Sequence, residues 1–251
     1  MQDDRTVIVH SAAELVSVPT RRNFLKALGI GGTLVLMPSI FAACDDNNTV
    51  TSPAPGSGSA LTISLGSDVG IFTFAAVLEQ LESNYYERVV ASYSSLFNPA
   101  ELEMLTDVRN DEVTHREFLR AALGSAFPTV TFNLNSALNN ATKMSLLTTA
   151  LTLETNGVAA YNGAGAAIKN AKNLLVAGKI VSVEARHASA LADAIDTASG
   201  SPNGTLYADL TMVPANLGAS SANALDAAAP MESTVATNAQ AFIVQKLSLT
   251  A

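Results

Sequence analysis

A chain of 251 residues with 48% hydrophobic residues and a mean hydropathy of +0.26 can bury a core, which excludes disorder of the whole chain. A formal charge of −8 and a pI near 4.8 leave no basic stripe to neutralise phosphates, which argues against nucleic acid and against acidic substrates. The single cysteine, Cys44, excludes an intramolecular disulfide and a thiolate cluster, so any metal must be held by nitrogen and oxygen.

Along the chain, the first segment reads as an address. Thr20-Arg21-Arg22-Asn23-Phe24-Leu25-Lys26 precedes an apolar run, Ala27 to Ala43, that closes in Phe41-Ala42-Ala43-Cys44. This resembles a twin-arginine export signal ending in a lipoprotein cleavage box, with Phe41 where Leu is usual. Gly29, Gly31, Gly32 and Pro38 make the run a poor membrane-spanning helix. The resemblance implies a signal over residues 1–44, acylation of Cys44, and anchorage to a bacterial envelope membrane, periplasmic or at the cell surface. Residues 45–64 are then expected to form a flexible linker. Removing residues 1–43 takes away four basic and three acidic residues and leaves the mature chain at −9.

From about residue 68 onward Ala and Leu dominate over β-branched residues, aromatics are only 6% and Trp is absent, so the expected fold class is all-α. A first helix is predicted from Asp68, capped by Ser67, to Ser92, with Ile71, Phe74, Leu78, Leu81 and Tyr85 on one stripe. The second opens at Asn98-Pro99-Ala100-Glu101 and stops at Gly124. A third is predicted over Thr142 to Val176, although Gly157, Gly163 and Gly165 each weigh against it by about 1 kcal/mol. Gly178 is expected to separate it from a fourth, Lys179 to Ala198, ending at Gly200-Ser201-Pro202. The links are short, long and short. That is a bundle over residues 65–200 with one long crossover between helices 2 and 3, followed by a C-terminal extension, 201–251, with one plausible helix from Met231 to Leu247.

Two of the three histidines stand three residues after a glutamate, in Glu112-Val113-Thr114-His115 and Glu184-Ala185-Arg186-His187. On a helix, residues i and i+3 share a face, so each pair offers an oxygen and a nitrogen to one site. The other two helices each carry Leu-Glu followed seven residues later by tyrosine: Glu79 with Tyr86, and Glu154 with Tyr161. Glu79 precedes Glu112 by 33 residues and Glu154 precedes Glu184 by 30, so the chain reads as two copies of one helical hairpin.

The apolar stripes run through these positions. Leu105, Val108 and Leu119 flank Glu112 and His115; Ile180, Leu191 and Ile195 flank Glu184 and His187. Glu79 follows Phe72 and Ala75, and Glu154 follows Leu147 and Leu151. Four carboxylates are thereby aimed at one core, where ionised groups cost several kcal/mol each unless neutralised. Two divalent cations would balance them, and carboxylate with imidazole suits iron or manganese. Alternatives remain at this level: His115 and His187 could be hydrogen-bonded or surface residues, Glu82 could replace Glu79 one turn on, and Tyr86 and Tyr161 could be ordinary core aromatics. Glu87, Glu101, Glu103 and Glu117 are expected on solvated faces.

The set Glu79, Glu112, His115, Glu154, Glu184 and His187 resembles the ligand pattern of the ferritin-like di-iron carboxylate superfamily, in which two helices give one Glu each and two give Glu-x-x-His. Within it the chain looks most similar to exported ferritin-like domains that include desiccation-related proteins. The resemblance implies two iron ions, alternatively manganese, with Glu79 and Glu154 as terminal ligands, Glu112 and Glu184 bridging, and Tyr86 and Tyr161 behind them. It implies a small-molecule oxidant, O2 or peroxide, and leaves a homodimer open. The implied functions are Fe(II)/O2 or peroxide redox chemistry in stress protection, a non-catalytic desiccation-related envelope protein, or a dimanganese catalase; fold and ligands do not choose among them.

Overall fold

The computed structural model describes residues 60–200 and 228–250; the twin-arginine segment, Cys44 and the first part of the linker lie outside the described residues. A strand, β1 (Leu61–Ser64), stands in place of the expected end of the linker. Leu61 and Ile63 alternate with Thr62 and Ser64 and are both fully buried, which fixes residues 61–64 as structure rather than tether. Its partner is β2 (Leu247–Thr250), paired in parallel with Leu61 opposite Leu247 and Ser64 opposite Thr250.

Helix α1 (Asp68–Ser92) starts where the Ser67 hydroxyl accepts from the Gly70 N–H. Helix α2 (Pro99–Leu123) starts in a capping box: Asn98 accepts from the Glu101 N–H at 2.9 Å, and Glu101 accepts in return from the Asn98 N–H at 2.8 Å. It ends at Gly124, whose φ of 55° favours glycine. A long crossover follows, holding one helical turn (Asn135–Leu138) and a bridge from Phe132 to Ile243.

Helix α3 (Lys143–Ala164) and helix α4 (Ala171–Ser199) correct the expected boundary. The chain breaks at residues 165–170, and Gly178 lies inside α4. The cause is tertiary. The buried Asp68 carboxylate accepts from the Lys169 N–H at 2.8 Å, the Asn170 N–H at 3.0 Å and the Asn173 amide at 2.8 Å, while Asn170 caps α4. Gly178 faces open space, so it interrupts nothing.

Helices α1 and α2 form one hairpin, α3 and α4 the other, and they meet along α1–α3 and α2–α4. This is the expected all-α bundle with one crossover. The extension holds a π-helical turn (Met231–Val235) and a short helix (Ala236–Gln240), but not the helix expected to continue to Leu247. The Gln240 amide donates to the Ile243 and Gln245 carbonyls and its oxygen accepts from the Leu247 N–H, turning the chain into β2. The segment lies on α3, where the Ala229 N–H donates to Ala159 and a Cβ on Gly163 would stand 2.0 Å from the Ala229 carbonyl oxygen. Among the described residues no helix is long and apolar enough to cross a membrane.

Candidate metal centre

Each bundle helix brings its predicted residues to the middle of the core: Glu79 from α1, Glu112 and His115 from α2, Glu154 from α3, Glu184 and His187 from α4. The four carboxylates are fully buried and the two imidazoles nearly so. They fall into two overlapping groups, Glu79, Glu112, His115 and Glu184, and Glu112, Glu154, Glu184 and His187. Within each group the ligand atoms all lie within 4.8 Å of one another. Glu112 and Glu184 belong to both groups, which suits carboxylates shared between two ions.

The donors crowd together without satisfying one another. His115 Nδ1 lies 3.2 Å from Glu79 Oε2 and from Glu184 Oε1, and 3.4 Å from Glu112 Oε2. His187 Nδ1 lies 2.8 Å from Glu112 Oε1 and 3.2 Å from Glu154 Oε2. Yet Glu79 Oε2, both oxygens of Glu112, both of Glu184 and His115 Nδ1 are buried without a properly directed hydrogen bond. A buried acceptor left in this state costs about 1–3 kcal/mol, more when charged. The pattern fits cations standing between the donors, and oxygen with imidazole nitrogen suits iron or manganese.

Without a cation, protons take that place. Burial, then the charges of Glu154 and Glu79, push the Glu112 carboxyl up to about 7. Burial and the charges of Glu112 and Glu79 hold Glu184 well above the ordinary carboxylate range. Burial opposes charge on His187, but its contacts with Glu112 and Glu154 prevail and raise it to about 11. His115 is raised by the same balance, with Glu79 its main partner; Glu79 is lowered in turn, against its own burial, by the His115 charge.

Tyr86 and Tyr161 touch the site. The Tyr161 hydroxyl donates to Glu79 Oε1 at 2.5 Å and the Tyr86 hydroxyl to Glu154 Oε1 at 2.6 Å, each reaching from one hairpin to the other. Burial and these carboxylates keep both phenols well above their ordinary range. Glu82, the alternative to Glu79, belongs to neither group of ligand atoms. It is buried beside the site, and burial with the charge of Glu184 raises its carboxyl. Its counterpart at the same offset on α3 is Gly157, where a Cβ would stand 2.7 Å from Glu184 Oε2 and 3.2 Å from Glu82 Oε1. Glycine there leaves the carboxylates their room.

One contact was not anticipated from the sequence. Asp111 Oδ2 lies 3.2 Å from His187 Nε2, on the outer side of the ring. Its only signal is its place directly before Glu112, on a face of α2 with other exposed acids.

Residues 67–197, more than half of the chain, match the family model of the ferritin-like domain. The chain belongs to the ferritin-like domain family. None of the curated proteins matches it. The ferritin-like domain thus spans all four bundle helices but neither β1 nor the C-terminal segment that pairs with it. Its buried carboxylate and histidine cluster is compatible with metal ions.

Proposed function

We propose that this ferritin-like domain holds two iron ions and uses them outside the cytoplasm, oxidising Fe(II) with O2 or consuming peroxide in stress protection. The observation that carries the reading is the two overlapping groups of buried donor atoms, each gathered within 4.8 Å, while Glu112 and Glu184 direct no oxygen into a proper hydrogen bond. Glu79, Glu112 and Glu184 with His115 would hold one ion, and Glu112, Glu154 and Glu184 with His187 the other. Bound iron supplies one-electron redox chemistry with dioxygen or peroxide. The chain's own part is positioning. Tyr161 and Tyr86 orient Glu79 and Glu154 through charge-assisted hydrogen bonds, and the full burial of the four carboxylates keeps bulk water from the donors.

The test is stopped-flow absorbance after mixing the anaerobic Fe(II)-loaded protein with O2 or peroxide. A ferric signal absent from a Glu112→Ala, Glu184→Ala variant is expected. Equal traces for the two proteins would leave the non-catalytic envelope role. Oxygen release from peroxide by manganese-loaded protein, without a ferric signal, would reassign the centre to a dimanganese catalase.

The export part of the proposal rests on Arg21-Arg22 and on Cys44 after Phe41-Ala42-Ala43. Labelled palmitate is expected on the wild type and not on Cys44→Ser, and the Arg21→Lys, Arg22→Lys variant is expected to stay in the cytoplasm.

A further inference from the structure

The two halves of the centre are built alike but finished differently. The repeat that carries Glu112 onto Glu184 and His115 onto His187 carries Asp111 onto Val183, which has no side-chain oxygen. His187 is therefore held at both ring nitrogens: Nδ1 faces Glu112 and Glu154, and Nε2 faces Asp111 Oδ2 at 3.2 Å. Among the described residues, His115 makes its ion pairs through Nδ1 alone. Asp111 itself is 56% exposed, at the rim of the site.

A carboxylate on the distal nitrogen of a ligating histidine has three effects. It keeps the proton on that nitrogen and the lone pair on the other, it fixes the ring plane, and it makes the ligating nitrogen more basic. Among the described residues, only His187 receives this support. Building on the dinuclear reading above, we propose that Asp111 is a positioning residue that makes the two ion positions unequal. The position served by Glu112, Glu154, Glu184 and His187 fills first, and the position served by His115 fills second. Stepwise filling matters for a centre that must meet its oxidant with both ions present, because the weaker position sets the metal concentration at which the pair is complete.

The experiment is Co(II) titration of the full chain, followed by visible absorption and by competition with a chelator of known affinity, and it needs no turnover. Two unequal steps are expected for the wild type. Asp111→Ala should weaken the tighter step about 10–100-fold and leave the weaker one within about threefold. Asp111→Asn, which keeps an acceptor but not the charge, should fall between. Val183→Asp gives His115 the partner it lacks and should tighten the weaker step, bringing the two together. A merely structural role for Asp111 would move both steps alike. Two Co(II) bound with constants that Asp111→Ala leaves unchanged, or shifts equally, would overturn this inference and leave the dinuclear reading standing. A wild-type chain that takes up no Co(II) would overturn both.

Discussion

Gathering Glu79, Glu112, Glu154 and Glu184 around two imidazoles would set protons and metal ions in competition for the same atoms. Because Glu112 is raised to about 7 and His187 to about 11, binding must expel protons, and affinity should fall as the solution is acidified. Calorimetry in buffers of different ionisation enthalpy should show proton release on Co(II) binding, and a weakening of at least about tenfold from pH 8 to pH 6 is expected. Gly157→Ala tests the room at the site: a Cβ 2.7 Å from Glu184 Oε2 must displace that carboxylate, so metal affinity should drop, again by about 10–100-fold, while the helix keeps its fold. The Glu-x-x-His pairs were legible in the sequence because helical spacing puts both donors on one face. Asp111 was not, because its place directly before Glu112 does not by itself set it apart from the other exposed acids of α2; only the packing of α2 against α4 brings it to His187.

Helix ends divide into those written locally and those decided by distant residues. Ser67 and the Asn98–Glu101 box mark their helices through neighbours three residues away, and both starts were readable. The end of α3 was not, because Asp68, more than a hundred residues earlier, holds the backbone of Lys169 and Asn170. Asp68→Ala should destabilise the domain by about 1–3 kcal/mol in chemical denaturation, since it takes the acceptor from the part-buried N–H groups of Lys169 and Asn170 and from the buried Asn173 amide. Gly178 carries the opposite expectation. It sits mid-helix, and a methyl added there would meet nothing within 4 Å, so Gly178→Ala should stabilise by about 0.4–1 kcal/mol through the unfolded chain, read as a higher denaturant midpoint with the same slope.

For the whole molecule, the buried charges set how stability follows pH. In metal-free protein the folded chain binds a proton at Glu112 more tightly than the unfolded chain does, so stability falls as pH rises from the ordinary 4.5 through about 7. The raised His187 acts in the same direction, its contribution present below 6.5 and lost as pH climbs towards 11. With a chelator present the melting temperature should therefore decline from pH 5.5 to pH 9, and metal loading should flatten or reverse that trend. The four-helix plan and its single crossover were visible in advance. The clasp between β1 and β2 was not, because the alternation in Leu61-Thr62-Ile63-Ser64 and in Leu247-Ser248-Leu249-Thr250 is only four residues long, and nothing in either segment names a partner at the far end of the chain. Deleting residues 228–251 should lower the melting temperature and expose Leu61 and Ile63, detectable as new binding of a hydrophobic dye. The clasp also has a mechanical side. A pull on the chain at residue 60 reaches β1 before any helix, and the parallel ladder meets it in shear, with its cross-strand bonds loaded together rather than unzipped in turn. Tension applied there falls on the β1–β2 ladder ahead of the helices that carry the carboxylate and histidine cluster.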